Sequence, residues 1–261
     1  MSAKAAYVFR DALVEVASDR VTYTDDAITS EFTYESTVVE KLPEGKLRAT
    51  PTAQTFSFKT QRQVPKLGVM IVGWGGNNGT TVTGGILANK LGLTWDTKEG
   101  VKTANYLGSI TQASTVKLGV DSNTNEDIFV PMSRVLPLVH PNDIAVSGWD
   151  ISSLPMGDAM KRACVLDVDL QRQLYPLMQD IGAPLPSVYA PTWIAANQDD
   201  RADNLIPEKT KSEQVERLRA DMRAFQARTG VDKVIVLWTA NTERFASVQS
   251  GVNDTADNVL A

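Results

Sequence analysis

The sequence predicts an α/β protein built on a parallel sheet, on three observations. Short uninterrupted apolar runs recur at 67–72, 143–150 and 233–238. Such runs fit strands buried on both faces, as in a parallel sheet. Helical periodicity fills intervals between them, and a glycine-rich turn follows the first run directly. Buried strands alternating with amphipathic helices mean a parallel α/β architecture.

The elements follow in order. Up to about Lys66 the chain alternates apolar with hydroxyl or charged residues, as in Val21-Thr22-Tyr23, Glu31-Phe32-Thr33-Tyr34 and Thr55-Phe56-Ser57-Phe58. A period of two predicts half-buried antiparallel strands or an extended arm resting on a neighbouring domain or subunit. Residues 1–66 are therefore expected to be a β-rich arm, and 67–261 the parallel α/β domain.

Leu67-Gly68-Val69-Met70-Ile71-Val72 is the first buried strand, and a helix is expected from the glycines to Lys90, with Gly84 and Gly85 packing it close to its sheet. Residues 91–142 read largely as an insertion before the second strand. Leu170, Leu174, Leu177 and Ile181 predict a helix stopped at Gly182 and kinked by Pro176. A further helix begins near Thr210, where Thr210 and Glu213 stand at capping-box spacing. Its face is Val215, Leu218, Met222 and Phe225, and Gly230 ends it.

The chemistry-bearing segment is Gly73-Trp74-Gly75-Gly76-Asn77-Asn78-Gly79-Thr80-Thr81. Strand, glycine turn and helix in succession are the context of a dinucleotide-binding fingerprint, hence a Rossmann-type domain. Gly73 can take the positive φ of a tight turn, and Gly75 and Gly76 lack the Cβ that would block a pyrophosphate. Asn77 and Asn78 add side-chain donors at a helix N-terminus that already favours anions. The spacing is one residue longer than the simplest Gly-x-Gly-x-x-Gly. No lysine follows Gly79, so a nucleotide-triphosphatase loop fits poorly. Such a site also needs a carboxylate for the adenosine ribose at the end of the next strand. Asp150 is the first acid so placed, and an acid facing a free 2′-hydroxyl favours NAD over NADP.

Composition narrows the alternatives. A net charge of −5 with pI near 5.0 argues against nucleic acid or an anionic membrane as partner. Cys164 is the only cysteine and His140 the only histidine, which excludes a Cys/His zinc site and an internal disulfide; no metal is expected. His140 reads as an ordinary loop histidine. With no signal-peptide pattern and no membrane-length apolar run, a soluble cytoplasmic protein is expected.

Four motifs carry a resemblance. The glycine turn, Gly148-Trp149-Asp150-Ile151-Ser152, the stretch Ala195-Ala196-Asn197-Gln198-Asp199-Asp200-Arg201-Ala202-Asp203-Asn204, and Leu237-Trp238-Thr239-Ala240-Asn241-Thr242-Glu243-Arg244 resemble the eukaryotic-type inositol-3-phosphate synthases, with Val21-Thr22-Tyr23 extending the match towards the start. The resemblance implies an isomerase that converts glucose 6-phosphate to inositol phosphate on NAD. Its course is oxidation at the fifth carbon, enolisation, intramolecular aldol closure and return of hydride. It implies NAD contacts at Gly75, Gly76, Asn77, Asn78, Asp150, Gln198, Arg201, Thr239, Ala240, Asn241 and Thr242, to which the reading of the turn adds Gly73, and a homo-oligomer, a tetramer in the family.

The resemblance also implies a second domain, with catalytic lysines, beyond the point matching Ala261. The expectation is thus a cofactor half with no catalytic residue of its own. The competing reading is a non-enzymatic dinucleotide-binding isoform that modulates full-length subunits. An ordinary NAD dehydrogenase fits less well, for want of an acid–base group at the site.

Overall fold

The computed structural model describes residues 7–10, 12–191, 194, 196–240 and 247–260. In chain order the elements are β1 (Tyr7–Val8), β2 (Val21–Tyr23), β3 (Ala27–Lys41), β4 (Leu47–Gln61), β5 (Gln63–Val64) and β6 (Leu67–Val72). Then come α1 (Asn77–Leu91), β7 (Thr94–Thr97), β8 (Gly100–Thr103), α2 (Ile110–Ala113), β9 (Thr115–Val120), β10 (Asp127–Pro131) and β11 (Ala145–Asp150). The last are α3 (Met156–Ala163), α4 (Val168–Ile181), β12 (Leu185–Pro186), α5 (Lys211–Thr229), β13 (Lys233–Trp238) and α6 (Ala256–Leu260). No described helix is long and apolar enough to cross a membrane.

The chain forms two compact units. One comprises Leu67–Ala104 and Ile144–Ala261. Its sheet has the order β12-β11-β6-β13, with every pairing parallel. The alternation of a strand sends successive residues to opposite faces. Ile71 and Val146 accordingly pack with Ile86, Leu87, Met156, Met160, Leu174 and Met178 on the α1, α3 and α4 side. Met70, Ala145 and Trp149 pack with Phe225 and Val231 on the α5 side. Helices on both faces of a parallel sheet are the Rossmann-type α/β arrangement that the alternating pattern predicts.

Details depart from expectation. β11 is buried at every position, but β13 is not: Ile235, Val236, Leu237 and Trp238 are exposed. Among the described residues β13 pairs only with β6, so its apolar run belongs to a sheet edge. The helix α4 ends at Gly182 as expected, with Pro176 inside it. Gly84 meets Leu166 and Leu174 side chains, not the sheet, and Gly85 faces open space. Thr210 and Glu213 form the expected capping box and Gly230 closes α5 in a left-handed conformation, while Val215 points to solvent.

Within 91–142, the hairpin β7–β8 belongs to the parallel-sheet unit. The Trp95 indole donates to Asp167 Oδ2 (2.7 Å), and Gln173 Nε2 donates to the Thr94 carbonyl (2.8 Å).

The other unit comprises Lys4–Lys66 and Asn105–Asp143. Its main feature is the antiparallel pair β3–β4, in register from Ala27 opposite Gln61 to Lys41 opposite Leu47. Phe32, Tyr34, Phe56 and Phe58 lie on one exposed face of this ribbon. β9 and β10 form a second hairpin. His140 sits in a loop, accepting from the Asn142 amide at Nδ1 (3.1 Å) and meeting Tyr106 edge-on.

Candidate functional site

The carboxyl ends of β6, β11 and β13 open on one cavity of about 460 Å³. This is where open α/β sheets place their ligands. Gly73, Gly76, Asn77, Asn78, Asp150, Gln198, Arg201, Thr239 and Ala240 all line it. Gly75 is buried directly behind Asp150. Asn241 and Thr242 lie outside the described residues. Ser187, Val188 and Ile194 also line the cavity and carried no sequence signal, since the short strand β12 that leads to them has no recognisable pattern.

The turn after β6 is fixed from several sides. Gly73 and Trp74 both donate their amides to the Trp149 carbonyl, at 2.9 and 3.0 Å. Gly73 has φ +84, and a Cβ there would lie 2.7 Å from Ala240 Cα, so the backbone after β13 comes close only because the side chain is absent. A Cβ on Gly75 would stand 3.2 Å from Asp150 Cγ and Oδ2. Gly79 is excluded from change for another reason: its Cβ would fall 2.2 Å from the Trp74 carbonyl oxygen. Trp74 is tied in turn to α1, its indole donating to Thr83 Oγ1 at 2.8 Å. Gly76, the N-cap of α1, has no side chain to cap the helix.

Asp150 is 2% exposed. Its Oδ1 accepts from the Ser152 amide (2.9 Å) and from Arg201 Nη2 (2.8 Å). Arg201 Nη1 donates to Gln198 Oε1 (3.2 Å), and among the described residues Arg201 Nε is buried with no partner. The chain after β11 is held by Asn204, whose side-chain amide donates to the Asp150 and Pro184 carbonyls at 3.0 and 3.1 Å. Asp203 accepts from the amide and hydroxyl of Ser153, and these bonds hold its carboxyl below the usual range.

Arg162, which the sequence did not disclose, supports the turn from outside the cavity lining. Its Nη2 donates to the Gly75 carbonyl (2.7 Å) and its Nη1 to Ser152 Oγ (3.3 Å). Burial, then the nearby Arg201 charge, lower its pKa. Only the short helix α3 delivers it to a glycine 87 positions earlier. On the opposite wall the Trp149 indole donates to Asp221 Oδ2 (3.0 Å), anchoring α5 beside the cavity. Thr239 donates both its amide and its hydroxyl to the Val72 carbonyl, at 3.0 and 3.1 Å. Among the described residues no cluster of His, Cys, Asp and Glu could hold a metal ion.

Comparisons with known proteins bear on this geometry. An NAD-binding family model described as myo-inositol-1-phosphate synthase matches residues 67–261. Inositol-3-phosphate synthase 1 of Mus musculus is 55% identical over 249 residues, covering 95% of this chain and 44% of that protein. The Oryza sativa subsp. japonica protein of the same name is 53% identical, covering 94% of this chain and 48% of its own length. The crystal structure of inositol-3-phosphate synthase from Caenorhabditis elegans matches with a TM-score of 0.84 at 47% identity, over 95% of this chain and 48% of that one. The chain spans about half the length of the curated relatives it matches.

Proposed function

This chain belongs to the myo-inositol-1-phosphate synthase family, and from that premise we propose that it supplies the NAD-holding part of an inositol-3-phosphate synthase. The reaction is conversion of glucose 6-phosphate to a myo-inositol phosphate by oxidation, intramolecular aldol cyclisation and reduction. NAD, when bound, supplies a reversible hydride acceptor, so that the sugar is oxidised and restored without net redox change.

The residues present fit a dinucleotide. Gly75 leaves open the space beside the Asp150 carboxylate that a Cβ would crowd. The buried Arg201 Nε is a donor that no described residue satisfies. Buried donors are costly unless paired, and a polar ligand in the cavity would remove that cost.

Each part of the site has a task in this reading. Gly73, Gly75 and Gly76 let the backbone approach a pyrophosphate, and Asn77 and Asn78 add donors at the N-terminus of α1. Asp150 takes the adenosine ribose hydroxyls, with Arg201 and Gln198 shaping the same end. Thr239 and Ala240 hold the side reached from β13, and Asn241 and Thr242 are assigned to NAD on the family resemblance alone. The sugar chemistry needs a general base and cationic groups around an enolate and a phosphate, and no residue of this chain is assigned to them. A homotetramer is the assembly that goes with this reading.

The observation that carries the proposal is the convergence of four separate sequence motifs on one cavity at the carboxyl end of the sheet. The test is an NAD titration of the purified chain followed by tryptophan fluorescence, since Trp149 and Trp238 line the cavity. Saturable quenching is expected. Absence of any response from folded, monodisperse protein would overturn the assignment.

A further inference from the structure

An acid stands in the apolar stripe by which α5 meets the sheet. Leu218, Met222 and Phe225 pack with Met70, Ala145, Trp149 and Val231. Asp221 falls on the same helical face, three residues after Leu218 and four before Phe225. Its side chain is only 11% exposed. A charge so placed is costly unless its oxygens are taken up. Both are: Oδ2 accepts from the Trp149 indole at 3.0 Å, and Oδ1 accepts from Arg217 Nε at 3.2 Å.

Trp149 serves the cavity twice. Its carbonyl receives the Gly73 and Trp74 amides that shape the turn, and the residue lines the cavity. The ring can turn about its side-chain bonds without disturbing those backbone bonds. Its N–H is its one polar group and needs a partner where it is buried. Asp221 thus fixes how the ring stands and ties α5 to it. Leu218 and Met222, which flank Asp221 in the stripe, line the same cavity. An apolar residue at this position would fill the stripe at less electrostatic cost, so stability alone does not account for the acid.

We propose that Asp221 is a positioning residue of the cofactor site. Through the Trp149 indole it sets the wall that Trp149, Leu218 and Met222 present to the cavity, while Arg217 keeps its carboxylate turned to the sheet. The inference rests on the reading of this cavity as the NAD site, and adds to it a residue outside the cavity lining.

The experiment titrates NAD into the purified chain by calorimetry, a signal that does not depend on tryptophan. The proteins are the wild type, Asp221→Leu, Asp221→Asn, Trp149→Phe and the double variant Trp149→Phe with Asp221→Leu, each with its thermal unfolding curve. Asp221→Leu should bind NAD about tenfold more weakly, the value of one hydrogen bond to a charged group, with its unfolding midpoint little changed. Asp221→Asn, whose amide oxygen still accepts, should recover most of that affinity. Trp149→Phe should also weaken NAD, and adding Asp221→Leu to it should cost nothing more, because the acid acts through the indole N–H. Nitrogen–proton spectra give a reading that general damage does not imitate. The indole signal that Trp149→Phe removes should move in Asp221→Leu, while that of Trp95, packed on the other side of the sheet, stays in place.

Full NAD affinity in folded Asp221→Leu would overturn the inference and leave the cofactor site standing. So would a further loss when Asp221→Leu is added to Trp149→Phe. Should Asp221→Leu fail to fold, the other single variants decide. Wild-type affinity in Trp149→Phe, or a folded Asp221→Asn that binds no better than Trp149→Phe, would overturn the inference. A folded wild type that binds no NAD would overturn both it and the reading beneath it.

Discussion

Arg201 and Asp150, 51 positions apart in the chain, meet through a 2.8 Å charged hydrogen bond in the lining of the cavity at the carboxyl end of the sheet. The carboxylate is almost wholly buried and the arginine side chain 26% exposed. Such a pair positions groups more than it stabilises the fold, because desolvation offsets much of the attraction. Breaking it from one side is another matter, since the remaining charge is left unpaired.

Asp150→Ala is therefore expected to act on binding and on folding together. NAD affinity should fall about 10- to 100-fold, the value of one or two hydrogen bonds to a charged group. Stability should fall by about 1–3 kcal/mol, from the partly buried Arg201 guanidinium left behind. Fluorescence titration and urea unfolding measure the two separately. An unchanged NAD affinity would remove Asp150 from the site.

Two glycines of the same turn should separate by phenotype. In Gly75→Ala the new Cβ meets a carboxylate at 3.2 Å, a crowding that small side-chain shifts can relieve. The expected cost to stability is under about 1.5 kcal/mol, with NAD affinity reduced more than about tenfold. In Gly79→Ala the Cβ meets a backbone oxygen at 2.2 Å, and backbone has nowhere to go. Unfolding should then be easier by about 3 kcal/mol or more. Equal effects on stability would refute the distinction.

Acid should weaken the hold of Asp203 on Ser153 in the loop after β11. The folded-state pKa of Asp203 is lowered by the Ser153 amide and hydroxyl. A lowered carboxyl contributes stability above its unfolded value, near ~3.9, and loses it as pH falls through the lower folded value. Midpoints of unfolding recorded between about pH 7 and pH 2 should show no difference in pH slope between the wild type and Asp203→Asn above about pH 5. Below that the wild type should fall more steeply, and parallel curves throughout would rule the contribution out.

Thr210→Ala removes the hydroxyl that accepts from the Glu213 amide, and with it half of a reciprocal cap. A loss of about 1 kcal/mol is expected, with NAD titration unchanged, because the cap is no part of the cavity lining. A change in NAD affinity would mean that α5 moves with its cap.

What the sequence disclosed depended on how far each signal reached. The turn from Val72 to Gly79 was legible because strand, glycines and helix are contiguous, and the cap at Thr210 because it spans four residues. Asp150 could be found as an acid ending an apolar strand, and β11 does lie beside β6. Arg162 could not, because its significance lies in reaching the Gly75 carbonyl, 87 positions earlier in the chain, from a helix of only eight residues. The edge position of β13 was equally hidden. An apolar run looks the same whether neighbours cover it or not. In the N-terminal unit only fragments of the ribbon were visible. Thr, Ser, Ala and Pro51 continue β3 and β4 for 15 residues each without strong alternation, and Pro51 is accommodated because among the described residues β4 is an edge strand.

The one-sided pairing of β13 also sets a pattern in time. In a parallel ladder the amides of alternate residues point to opposite sides. β6 lies between β11 and β13, so both sets of its amides face a neighbouring strand. β13 has β6 alone among the described residues. Deuterium should therefore enter β13 in a comb, every second amide exchanging early while its neighbours stay protonated with β6. A strand arriving from elsewhere would fill the gaps in that comb, and their disappearance would date its arrival.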